Sequence, residues 1–335
     1  MKAHDSVIVP AGITPAPVSR LLLPGAGLGF LGVLAFSFSL PANKLAVEGI
    51  DPFAITVLRA AAAGILAAGY LVMVRASIPR WRDIRSLVLS SLGVVVGFPL
   101  FSSLALLTSG SGHSAVIVGL LPALTAIFAA LVARERLPRG FWLATAAGVV
   151  VLLGYLLSRQ WADTGRLVVG IGDLWMLAAA VSAGFGYAMG GSQAKVMGGA
   201  RAISWSLVLV LPLSAPLAVV VLATGDLDWT PRVVVGMVYV TVVSQFLGFF
   251  AWYGGLARGG IARVGQLQQV QPLLTFVWAA LLLGEAFDPW TILVGVAIAG
   301  FVWAAQRARF ASPALPAPSP RPSPRPGPGP GPEGQ

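Results

Sequence analysis

The sequence predicts an all-α integral membrane protein of ten transmembrane helices arranged as two inverted five-helix repeats. Three observations lead there. Of 335 residues, 57% are apolar and only 10% charged, against roughly 25% charged in ordinary soluble domains. The apolar residues come in runs of about twenty, the length at which a helix crosses a hydrocarbon core of about 30 Å. The basic residues fall in the short gaps between these runs, so the net charge of +10 reports orientation in a lipid bilayer and not binding to nucleic acid.

Reading for apolar stretches bounded by charge, Gly or Pro places the spans in order at 21–42, 53–74, 86–107, 114–133, 140–158, 172–192, 202–223, 233–256, 261–283 and 289–306. The first is too long for a signal-peptide core and is followed by no small-residue cleavage site, so it is expected to be retained as a helix. Residues 1–20 form a polar leader. At the other end, 311–335 is so rich in Pro and Gly that neither a helix nor a packed core is expected there. The chain has no Cys, which removes disulfides, thiolate metal sites and cysteine nucleophiles. His4 and His113 lack any zinc-binding spacing, and no cofactor is expected.

Orientation follows from Lys and Arg, which cytoplasmic loops retain. Seventeen of the 22 basic residues fall on one face, from Lys2 and Arg20 through Arg75–Arg85, Arg134–Arg139, Lys195, Arg201, Arg258 and Arg263 to the tail arginines. The other face holds Lys44, Arg159, Arg166 and Arg232, and Arg59 lies inside a span. Both termini are therefore placed in the cytoplasm, with the chain multi-pass in the plasma membrane. Most tryptophans fall near span ends, Trp252 among those assigned to the inner end, and Trp278 lies inside a span.

An internal repeat appears at an offset of 150, which sets Pro122 on Pro272, Thr125 on Thr275 and Glu135 on Glu285. Five spans per copy is an odd number, so the second copy sits inverted, and such repeats place a binding site near the bilayer midplane. The first repeat covers 21–158 and the second 171–306.

The segments SFSLPANKLAVEGIDPFAITVLRAAAAG from Ser37, LPALTAIFAALVARERL from Leu121 and VQPLLTFVWAALLLGEAF from Val270 resemble the drug/metabolite transporter superfamily, specifically its ten-helix EamA-type members. The family pattern is matched by Lys44, Asp51, Pro52, Arg59, Pro122, Glu135, Arg136 and Leu137. It is departed from at Phe36-Ser37, where tryptophan-glycine is common, and at Arg134, where the family has glycine. The resemblance implies a transporter whose cargo is not inherited from the family.

Polar residues inside spans mark wet cavities or helix contacts, because an unpaired polar group in hydrocarbon costs kilocalories. The densest cluster is Gln266, Gln268, Gln269 and Gln271, before Pro272. That proline has no N–H, which should free the Gln268 carbonyl and set it beside amides able to hydrogen-bond a ligand. Helical glue is the alternative, and Gln266 is close enough to the inner interface to be solvated. Thr241, Ser244 and Gln245 form one polar stripe at i, i+3 and i+4. Trp278, on the same helix as Gln271 and Thr275, serves either as the stacking floor of a pocket or as packing. Arg59 reads either as a clamp for a substrate anion or as a structural arginine paired with Glu285 or Asp173. Glu135 is expected to pair with Arg134, Arg136 or Arg139.

The substrate-binding candidates are thus Gln268, Gln271, Gln245, Trp278, Thr241 and Arg59, with Pro122 and Pro272 as helix breaks. No nucleophile with a base, metal cluster or paired acids appears at usable spacing, so an enzyme is not expected. The reading is a carrier that moves a small polar or amphipathic metabolite, an amino-acid-like compound or drug, outward by alternating access. An importer of the same fold is the alternative, and a membrane-embedded sensor or enzyme is the alternative from another class. A homodimer is left open.

Overall fold

The computed structural model describes residues 25–109, 117–165 and 170–283, with Ser114 and scattered positions between 293 and 304. Within them the chain is helical, in nine rods: α1 (Gly25–Ala46), α2 (Pro52–Met73), α3 (Trp81–Thr108), α4 (Leu121–Leu131), α5 (Arg139–Thr164), α6 (Ile171–Met197), α7 (Gly199–Thr224), α8 (Pro231–Gly259) and α9 (261–283). Six of these, α1, α2, α3, α6, α7 and α8, are long and apolar enough to cross a membrane. The span expected at 289–306, the two terminal segments, His113 and Glu285 lie outside the described residues.

Local chemistry sets where the rods begin and bend. Asp51 accepts from the backbone N–H of Phe53 at 2.9 Å and Ala54 at 3.1 Å, with Pro52 at the first helical position. This is an N-cap followed by a residue that has no N–H to leave unpaired. Thr230 and Pro231 repeat the device at α8. Inside α1 the helix is interrupted at Phe38, and Pro41, three residues on, cannot donate to the Ser37 carbonyl. That carbonyl instead accepts the Thr275 hydroxyl of α9 at 2.7 Å. A proline has exchanged a bond within one helix for one between helices.

Two rods contain π-helical stretches, Leu92–Gly97 in α3 and Tyr239–Leu247 in α8. Such wide turns leave carbonyls without their usual i+4 partner and recur at functional sites.

α2 packs on α7, α1 on α8, α3 on α6, and α4 on both α6 and α9. Glycine makes the closest of these approaches possible, as is usual where lipid offers no competing solvent. A Cβ on Gly93 would lie 2.5 Å from the Ser182 carbonyl oxygen and 2.7 Å from Gly186 Cα, so α3 and α6 meet backbone to backbone. The interior is apolar, with Phe36, Tyr187, Phe249, Trp252 and Tyr253 interlocked in tilted and edge-on pairs at 5.0–6.0 Å, apart from a stacked Phe36–Tyr187 pair at 6.5 Å. Trp252 is completely buried, its ring packed against Phe36 of α1 and Tyr187 of α6. The outside is also apolar. Val72, Leu143, Val150 and Leu213 are all more than 65% exposed, a surface that suits lipid and not water.

Candidate functional site

At the centre of the bundle a cavity of about 20 Å³, room for roughly one water, is enclosed by residues of seven helices. Its polar lining is Ser39 of α1, Arg59 of α2, Tyr187 of α6, Ser244 and Gln245 of α8, and Gln271 of α9. Aromatic walls come from Phe36, Phe98 and Phe249.

Each polar group arrives for a local reason. Each π-helical stretch offers one carbonyl to a side chain that lines the cavity. Val240 O of α8 accepts from Arg59 Nη2 at 2.9 Å, and Val94 O of α3 accepts from Gln245 Nε2 at 3.3 Å. Gln245 turns its other end to Arg59, accepting from Nη2 at 2.7 Å. The hydroxyl of Ser39 donates to that of Ser244 at 2.8 Å, which joins α1 to α8 across the cavity.

Arg59 is 3% exposed. Among the described residues it has no carboxylate partner, and its Nε–H has no acceptor. This corrects the expectation of a pair with Asp173, whose carboxylate is instead engaged at the start of α6, where it accepts from Gly170 N at 2.8 Å. Glu285 lies outside the described residues. A buried guanidinium held only by neutral oxygens is an uncompensated charge, and charges buried in protein are ordinarily paired.

The remaining candidates divide. Gln271 lines the cavity with its Oε1 unpartnered. Gln268 is buried, its side chain facing the Tyr187 hydroxyl. Its carbonyl is not free, contrary to the argument from Pro272. The chain tightens to a 3₁₀ turn over Gln266–Val270, so the N–H of Gln271 reaches the Gln268 carbonyl. The shorter i to i+3 bond supplies the donor that proline removed.

Gln266 is fully buried and not solvated, donating to the Pro122 carbonyl at 3.3 Å and accepting from Gln269 Nε2 at 2.7 Å. These two amides are glue, and they tie the two proline-bearing helices, α4 and α9, to each other. Thr241 is buried in the α8 π-helix but does not line the cavity. Trp278 does not floor it either. The indole N–H donates to Ser37 Oγ at 2.8 Å and the ring packs edge-on to Phe38. Sequence reasoning missed Ser39, Tyr187 and the aromatic walls. The signal was the departure at Phe36-Ser37, since Phe36 lines the cavity and Ser37 anchors both Thr275 and Trp278.

Glu135 also departs from expectation. Its carboxylate accepts from the backbone N–H of Ile261 and of Ala262, each at 2.9 Å, and pairs with Lys195 at 2.9 Å. The N–H groups at the start of α9 are a stronger lure than the neighbouring arginines, because a helix N-terminus carries both orphan donors and the positive end of the dipole.

Comparison with known proteins agrees with this architecture. The EamA-like transporter family matches twice, over residues 23–158 and 170–305. The uncharacterized transporter YdeK of Bacillus subtilis (strain 168) is 42% identical over 282 residues, covering 83% of this chain and 96% of its own. A crystal structure of a protein aligns over 85% of this chain and 99% of its own with a TM-score of 0.65 and 19% identity, which at that identity speaks to fold alone. The two π-helical stretches begin equally far into the two matched segments, so the Gln245–Val94 bond joins corresponding turns of the two repeats. With a bundle clad in apolar side chains, two copies of one family pattern and a polar cavity where those copies meet, the chain belongs to the EamA-like transporter family and is a multi-pass membrane transporter.

Proposed function

We propose that this transporter is a carrier that moves a small polar or amphipathic metabolite through the central cavity by alternating access between two inverted repeats. The direction proposed is outward, which the family resemblance favours, from a plasma membrane in which both termini face the cytoplasm. The observation that carries the reading is the convergence of unpartnered buried polar atoms, Arg59 Nε and Gln271 Oε1, on a cavity built by both repeats. Desolvated groups left without partners cost about 1–3 kcal/mol each, and a cargo that supplies the partners recovers that cost on binding. A cavity with room for about one water is too small for a metabolite, so the repeats need to part before cargo enters.

The test is counterflow in proteoliposomes loaded with amino acids, other organic acids or cationic drugs. A carrier gives saturable flux that unlabelled cargo on the far side accelerates, and Gln271→Leu abolishes it at normal abundance. Linear flux without trans-acceleration refutes alternating access. Faster net movement inward than outward refutes the direction.

A further inference from the structure

Resting on the carrier reading, we infer that the cargo carries a single carboxylate, which docks on Arg59 by displacing the side-chain oxygen of Gln245. Three features of the cavity point this way. The first is charge. Among the described residues, Arg59 puts one positive charge at a lining otherwise made of serine, tyrosine, glutamine and apolar side chains, with no acid. A cation entering would place like charges together in a low-dielectric site, where repulsion is far stronger than in water. A neutral cargo would leave the guanidinium uncompensated.

The second is geometry. Nε–H and Nη2–H lie along one edge of a guanidinium and form the side-on fork that fits both oxygens of a carboxylate. On Arg59 one tine, Nε–H, is unpartnered, while the other is held by neutral oxygens, those of Gln245 and Val240. Gln245 Oε1, at 2.7 Å, is the side-chain oxygen that a carboxylate would displace from Nη2, and the Nε–H beside it stands open. An ionised acceptor makes a bond roughly twice as strong as a neutral amide, so exchange favours the cargo. Released from Arg59, Gln245 stays anchored through its Nε2 to Val94 O in the other repeat, which couples the arrival of the anion to the contact between repeats.

The third is the far wall. Gln271 Oε1 is an acceptor without a donor, and Phe36, Phe98 and Phe249 offer apolar faces. The complement is an organic acid with an apolar body and a hydrogen-bond donor away from the carboxylate.

The experiment uses three probes on one skeleton, phenylacetate, phenylacetamide and 2-phenylethylamine, with charges of minus one, zero and plus one. Thermal unfolding of the purified full-length protein in detergent reads binding, since a ligand of the folded state raises Tm. Phenylacetate at millimolar concentration is expected to raise Tm, and the amide and amine are not. Arg59→Lys keeps the charge but loses the fork, and should weaken phenylacetate binding at least about tenfold. Gln245→Glu gives Arg59 a built-in carboxylate, so it should fold at least as well as the parent and show no phenylacetate response. The inference is overturned if phenylacetate gives no shift, if the amide or amine matches it, or if Gln245→Glu responds normally. Counterflow of the same three probes separates the two readings. Saturable, trans-accelerated movement of the amine or amide without carboxylate preference keeps the carrier and removes the clamp. Fork-dependent phenylacetate binding without counterflow keeps the clamp and removes the carrier.

Discussion

Glu135→Gln tests whether the contact between α4 and α9 acts as a gate of the proposed carrier. The carboxylate holds the first two N–H groups of α9 at 2.9 Å each and meets Lys195 at 2.9 Å, so it fastens the end of α4 to the start of α9 on the side that the basic residues assign to the cytoplasm. Hydrogen bonds to a charged acceptor contribute about 1.5–3 kcal/mol each. The ion pair adds about 0–1 kcal/mol, because the Lys195 side chain is 40% exposed. Glutamine keeps one oxygen, which can accept from one N–H as a neutral group, while its own NH2 confronts the other. The expected loss is about 2–4 kcal/mol. At about 1.4 kcal/mol per tenfold, the α4–α9 contact should open roughly 30- to 700-fold more often. The chain has no native cysteine, so Ala262→Cys, at a position with no exposed surface, reports opening without background. Its rate of labelling by an impermeant thiol reagent in inside-out vesicles is the assay. Glu135→Gln should raise that rate steeply and Lys195→Met by no more than about fivefold. Labelling within about threefold of the parent, or a larger effect from Lys195→Met, would refute the view that the backbone bonds hold this gate.

Gln268→Leu removes a buried amide whose side chain faces only the Tyr187 hydroxyl, so thermal melts should show an unchanged or raised Tm while counterflow falls; a lowered Tm with normal transport would contradict this. Gly93→Ala pushes α3 off α6 at a Cβ distance of 2.5 Å and should lower stability by about 1–3 kcal/mol, whereas Gly69→Ala, with nothing within 4 Å, should be neutral or stabilising. Equal melting temperatures for the two variants would count against a backbone-limited α3–α6 contact. Asp228→Cys is expected to react with an impermeant reagent added to intact cells and Ser86→Cys, on the other face and partly exposed, is not, and the reverse pattern would invert the assigned topology.

What the sequence by itself determined is what depends on solvent and on local rules. Lipid demands long apolar helices with satisfied backbones, so composition and run length alone specify a membrane bundle. Asp51-Pro52 starts α2 through atoms only two or three residues apart, and the shared Pro122 and Pro272 expose the duplication. Arg59 and Gln271 stood out because a charge or amide inside a span is costly wherever it points. Only the tertiary structure decided which of these groups share a space. Thr241, Ser244 and Gln245 look alike on a regular helix, but a π-helical stretch runs through them and only the last two reach the cavity. Trp278 is indistinguishable from a stacking floor until Ser37, 241 positions away in sequence, takes its N–H. The carbonyl expected to be free at Gln268 was closed by a 3₁₀ turn, while the carbonyls of Ser37, Val94 and Val240 accept from side chains on other helices. Hydrogen bonds between helices are set by rotation and depth of packing, and those are properties of neighbours that no single helix encodes.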